Sequence, residues 1–114
     1  MAEVNQAAGK EWTLVSLNSK PVGKDNPPTM KFERGKLSIF GGVNRMSGSY
    51  ALIDNGSVTL GQLVSTMMAG PPELMELELD FSKTMASVNG FHVEGSQLQL
   101  LSGDRVVAEF RFKD

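Results

Sequence analysis

Residue types that commonly do chemistry are sparse in this chain, and their spacing tests each use. His92 is the only histidine, set in Phe91-His92-Val93-Glu94 on the face of an alternating segment that points outward. One imidazole in a chain without cysteine argues against a dedicated transition-metal site, which draws on several nitrogen and sulfur ligands. Glu76 and Asp80 stand one helical turn apart and could pair for acid–base work. Both fall opposite an apolar stripe, where charges usually form a solvated face. G-x-S-x-G, G-x-G-x-x-G and G-x-x-x-x-G-K do not occur, so the common hydrolase elbow, dinucleotide and phosphate loops are missing. Asn55-Gly56-Ser57 matches a glycosylation sequon, but Asp54-Asn55-Gly56 is explained as a hairpin turn. No catalytic residue, metal ligand or cofactor site is therefore expected, and the protein is read as a non-enzyme.

The elements that would position such groups are mostly short strands. Trp12-Thr13-Leu14-Val15-Ser16-Leu17 alternates, placing Trp12, Leu14 and Ser16 on one face and Thr13, Val15 and Leu17 on the other. Asn18-Ser19 supplies a turn, and Gly23–Pro28 is too rich in breakers to be other than a loop. Met30 and Phe32, then Leu37 and Ile39, keep period 2 about Arg34-Gly35, a hairpin signal in which Gly35 can take a positive φ. Tyr50 and Leu52 alternate up to the Asp54-Asn55-Gly56 turn, Val58 and Leu60 return, and Leu63–Met68 forms a further extended apolar segment. One segment has helical period: Leu74, Leu77, Phe81, Met85 and Val88 make a stripe, with Pro71-Pro72 at its start and Asn89-Gly90 at its close. Glu73, Glu76 and Glu78 sit toward the positive end of its dipole. Three more alternating strands, broken at Gly95-Ser96 and Gly103-Asp104, finish the chain. The spacing predicts an α+β fold: a small antiparallel β-barrel or strongly curved sheet of about seven to nine strands with one helix over about 72–88.

Composition narrows the function classes. A chain of 114 residues suits one domain, and 40% hydrophobic with 21% charged residues is ordinary globular usage rather than that of disorder. Residues 1–10 are polar and without period and read as a flexible N-terminal leader, leaving 11–114 as a single domain. A formal net charge of −2 gives no footprint for a phosphate backbone, so nucleic acid is not an expected partner. No stretch approaches the ~20 apolar residues that cross a bilayer, and no signal sequence is visible. A monomer is expected.

Ile39–Tyr50, Ile-Phe-Gly-Gly-Val-Asn-Arg-Met-Ser-Gly-Ser-Tyr, interrupts extended chain with three glycines and marks a corner, a bulge or a close backbone approach. Asn44 there could hold a ligand, but asparagine between glycine-rich turns more often satisfies local backbone. Tyr50 and Trp12 read as packing residues rather than pocket walls. The seven methionines could make an adaptable binding surface, but core filling is the simpler role.

The order Trp12-Thr13-Leu14, Phe32, Gly-Gly-Val-Asn-Arg-Met-Ser-Gly-Ser-Tyr, Ser-Thr-Met-Met-Ala-Gly-Pro-Pro and a closing Phe-containing strand resembles the META domain family of heat-inducible, HslJ-like proteins. The resemblance runs roughly from Lys10 to Phe112. Gly42, Asn44, Gly48 and Tyr50 match its first motif block; Thr66, Met68 and Ala69 match its second, with Trp12 ahead of both. Cysteines typical of the two blocks are replaced here by Val43 and Gly70. If those cysteines pair in relatives, as the resemblance implies, Val43 and Gly70 should sit close in space. The resemblance also implies a stress-response, envelope or virulence-associated setting, in the bacterial periplasm or cell envelope. It leaves two functions open: a protein-interaction module, or a barrel mouth that takes a small hydrophobic ligand or drug.

Overall fold

The computed structural model describes residues 9–23, 27–33, 36–53, 56–61 and 63–112. Among these residues eleven strands and one helix follow in the order β1 (Glu11–Leu17), β2 (Lys20–Pro21), β3 (Thr29–Glu33), β4 (Lys36–Phe40), β5 (Arg45–Gly48), β6 (Tyr50–Ile53), β7 (Ser57–Leu60), β8 (Val64–Ser65), α1 (Pro72–Met85), β9 (Gly90–Glu94), β10 (Gln97–Ser102) and β11 (Arg105–Arg111). The expected α+β architecture is present. Nine of the strands have four or more residues, and the two beyond the expected number, β2 and β8, are two-residue pairings.

All pairings are antiparallel, and the sheet runs β6-β7-β9-β10-β11-β1-β3-β4-β5-β8, with β2 beside β1. The end strand β6 follows directly on β5, which lies next to the other end: β5 pairs with β4 and β8, while β6, one residue further on, pairs with β7. One strand thus changes partners at Ser49, and the Gly61 amide donates to the Ser49 carbonyl at that bend (2.8 Å). This curls the sheet around its core.

Short turns set the register. Asn18 and Ser19 both take positive φ, 50° and 68°, and link Leu17 to its partner Lys20, the geometry that matches strand twist in two-residue hairpins. Gly95 and Gly103 do the same work at the two C-terminal hairpins. Glu33 pairs with Lys36, so two residues connect β3 and β4; the expected turn at Arg34-Gly35 lies outside the described residues, as do Asp54-Asn55 and residues 1–8 of the leader. Gly9 and Lys10 are described: the Gly9 amide donates to the Phe32 carbonyl, and the Lys10 ammonium lies 4.4 Å over the Phe112 ring.

Strict alternation fails in β1. The register with β11 shifts between Leu14 and Ser16, so Leu17 joins Trp12 and Leu14 in the core instead of facing away with Thr13. Trp12, Phe32, Phe81 and Phe110 are fully buried, with Trp12 edge-on to Phe112 at 4.9 Å and Phe81 6.1 Å from Phe110. Helix α1 begins with Pro72 in its first turn, where an amide hydrogen is not needed. It stops at Met85 with a right-handed Ala86 cap, and Gly90 belongs to β9 rather than capping the helix. No described helix is long and apolar enough to cross a membrane.

Candidate functional site

The glycine corner, the N-terminal half of α1 and the chain between β8 and α1 meet at Asn44. Gly42 takes φ +114°, which turns the chain so that Asn44 points inward, and Gly42 itself packs against Leu74 of the helix. Asn44 is buried, and its side chain uses its full hydrogen-bonding capacity. Nδ2 donates to Glu78 Oε1 (2.7 Å) and to the Met68 carbonyl (3.1 Å). Oδ1 accepts from the Met68 amide (2.6 Å) and the Thr66 hydroxyl (2.9 Å). A side-chain amide bonded to both backbone groups of Met68 stands in for a neighbouring strand, extending the β5–β8 pairing where the ladder has run out.

Glu78 completes the lock. It is 8% exposed, and its carboxylate accepts from the Asn44 amide (2.6 Å), the Asn44 side chain and the Val43 amide (3.0 Å). Burial alone would push this carboxyl up, but the three hydrogen bonds outweigh it and hold it below the ordinary glutamate value. Gly41 permits the approach: a Cβ there would fall 2.7 Å from Glu78 Cγ and 2.8 Å from Met46 Cε. Glu78, expected only to sit with Glu73 and Glu76 toward the positive end of the helix dipole, is thus a buried group bonded to the glycine corner. The available signal was its position, since Leu74, Glu78, Phe81 and Met85 lie at spacings of four, three and four on one helix face.

The motif residues separate by role. Asn44, Thr66 and Met68 come together in one network, with Ala69 following on the same strap. Val43 and Gly70 touch: a Cβ built at Gly70 lies 3.5 Å from that of Val43, inside the range spanned by disulfides. Trp12 is a core residue, and Gly48 pairs with Leu37 in β5. Tyr50 packs edge-on to Phe32 at 5.0 Å and donates its hydroxyl to the Glu33 carbonyl (2.6 Å). Burial, and then the nearby Glu33 charge, raise the tyrosine hydroxyl above its usual value.

What the lock presents outward is apolar. Residues 64–73 are exposed without interruption, including Val64 at 71%, Met67 at 95% and Met68 at 54%. Core filling therefore holds for Met30, Met46 and Met85 but not for Met67 and Met68. Two depressions mark the surface. One, of about 520 Å³, lies on the outer face of β3, β4, β5 and β8; the other, about 360 Å³, is lined by Leu60, Leu63, Met85 and Val88. Neither is lined by Trp12 or Tyr50. His92 is half exposed, 3.6 Å from Glu94, and Glu76 and Asp80 are exposed on the helix.

A curled antiparallel sheet, closed by one helix and locked at a glycine corner through a buried asparagine–glutamate pair, defines a small α+β domain with a fixed, exposed strap. The chain belongs to the META domain family, whose pattern matches residues 5–114. It is similar to the heat shock protein HslJ of Escherichia coli (strain K12), 36% identical over 100 residues, a match covering 85% of this chain and 65% of HslJ. The chain thus spans about two thirds of that relative's length. A protein solved by NMR shares 28% identity and superposes with a TM-score of 0.74 over 97% of this chain and 95% of its own. An NMR structure of a protein from Burkholderia xenovorans, 21% identical, shares the fold with a TM-score of 0.74 over 96% and 85% of the two chains.

Proposed function

We propose that this META domain is a non-enzymatic protein-interaction module of the stress response, and that its contact face is the strap between β8 and α1. The observation that carries the reading is the contrast within one dipeptide. Met68 is fixed through both its backbone groups to Asn44, while the side chain beside it, Met67, is 95% exposed. Large apolar side chains held out on ordered backbone lose little further entropy on docking, which suits a binding face. The heat-shock name of the similar protein HslJ supports the stress setting. Support for a non-catalytic role comes from Glu78, a buried carboxylate saturated by three donors and so a structural anion rather than a poised base.

Site-specific photo-crosslinking in heat-stressed cells tests the reading. A photoreactive residue at position 67 should yield one dominant adduct, and one at His92 should not; equal or absent adducts at both positions would count against it. The small-ligand reading rests on the apolar cleft of about 360 Å³ beside the helix, at the small end of ligand pockets. Thermal shifts against lipids and hydrophobic drugs, lost on Leu63→Glu, would favour that use instead.

A further inference from the structure

We infer that the partner surface at the strap is an open sheet edge that accepts an extended peptide as an additional antiparallel strand, with an acidic side chain of that peptide lying over Arg45. This deepens the interaction-module reading and rests on it.

Backbone direction comes first. Val64 pairs with Ser47, the Thr66 amide donates to the Arg45 carbonyl (3.0 Å), and Met68 bonds to the Asn44 side chain through both its groups. Alternate residues of a strand point their amide and carbonyl to opposite sides, so Ser65 and Met67 direct theirs away from β5. No described residue pairs with that side, and β8 ends the sheet. Charge and proline are among the usual guards of a sheet edge, yet Leu63–Gly70 carries neither. Thr66 and Met68 are anchored from behind, so the edge is already extended and ordered before anything binds, as strand addition requires.

Charge supplies the second half. On the outer face beside this edge Glu11 lies opposite Lys31 and Glu33 opposite Lys36, each cation matched in register by a carboxylate. Arg45 has Phe40 opposite it on one side and Thr66 toward the edge on the other. All three cations line the groove of about 520 Å³ that opens onto β8. A strand added beyond β8 continues these rows, and its residue opposite Thr66 stands about 10 Å in Cα from Arg45, two strand spacings, within reach of a guanidinium and a carboxylate side chain.

The test is selection of a phage-displayed library of random peptides about ten residues long on the full chain, with synthesised binders mapped by amide NMR. Selected peptides should alternate apolar residues around a carboxylate and shift the Ser65 and Met67 amides. Met67→Ala loses only the side-chain contact, whereas Met67→Pro also removes the outward amide without touching the inward bonds of Thr66 and Met68 and should lower affinity about tenfold or more beyond the alanine variant. Methylating the peptide's backbone nitrogens should abolish binding, and Arg45→Gln should weaken acidic binders but not their glutamine versions. Equal losses in Met67→Pro and Met67→Ala, with full binding by the methylated peptide, would overturn the strand-addition inference. Binders that shift Leu60 and Met85 instead overturn the edge assignment and leave the module reading standing, whereas a library that yields no binder contradicts both. A concentration-dependent dimer lost in Met67→Pro would overturn the inference in favour of self-pairing.

Discussion

Replacing Glu78 by glutamine tests the lock with little change in shape. The carboxylate accepts three hydrogen bonds, at 2.6, 2.7 and 3.0 Å, from donors on Val43 and Asn44. Glutamine offers one acceptor oxygen, so its NH2 must face either the two backbone amides or Asn44 Nδ2, and one set of buried donors loses its partner. Hydrogen bonds to a charged group are worth roughly 1.5–3 kcal/mol and an orphaned buried donor costs about 1–3 kcal/mol, so E78Q should destabilise by about 2–4 kcal/mol at neutral pH. With ~4 °C of Tm per kcal/mol at this size, melting should fall by about 8–16 °C. The pH dependence has a definite sign. Glu78 lies below its ordinary value of 4.5 in the folded state, so its stabilisation is fully present above that value and is lost as pH falls through the folded value. Urea unfolding of both proteins at about pH 7.5 and about pH 3.5 should therefore show a gap that narrows in acid. A gap under about 0.5 kcal/mol at neutral pH, or one unchanged in acid, would refute the reasoning.

Other substitutions probe separate parts of the same corner. Asn44→Asp places a second carboxylate where Nδ2 now lies 2.7 Å from Glu78, so its destabilisation should be greatest at neutral pH and ease in acid, read by the same urea titration. The V43C/G70C variant should close a disulfide under oxidation and gain about 3 kcal/mol, seen as a Tm that drops on adding reductant; a free-thiol count of two after oxidation contradicts it. Gly41→Ala should cost about 1–3 kcal/mol, because its methyl must displace Glu78 and Met46, and wild-type melting would show that the helix can move aside at no cost. Tyr50→Phe keeps the contact with Phe32 and loses the hydroxyl bond to Glu33, for about 1 kcal/mol by chemical denaturation.

Strand alternation and turn chemistry carried most of the architecture into the sequence. Asn18-Ser19, Gly95 and Gly103 are local signals that need no tertiary information, and Pro72 marks the helix start in the same way. The errors arise where long-range contact overrides the local pattern. A bulge after Leu14 sends Leu17 into the core, and no residue type in Trp12–Leu17 announces it. Asn44 is legible as a backbone tie because glycine neighbours leave its side chain little else to do, but its partners, 22 to 34 residues distant, are not. Glu78 looked like one of several helix acids, and only the folded corner supplies the donors that make its burial tolerable. Met67 and Met68 have the composition of a core segment. They are outside because Asn44 takes the backbone beside them, and hydropathy does not encode that choice.

The most direct measurement is the affinity of the protein captured at position 67, purified and titrated by calorimetry against wild type and the Met67→Ser, Met68→Ser double variant. Both side chains are exposed, so melting should hold within about 2 °C while affinity falls about tenfold or more. Unchanged affinity in a variant of unchanged stability would contradict the assignment of the strap as the contact face.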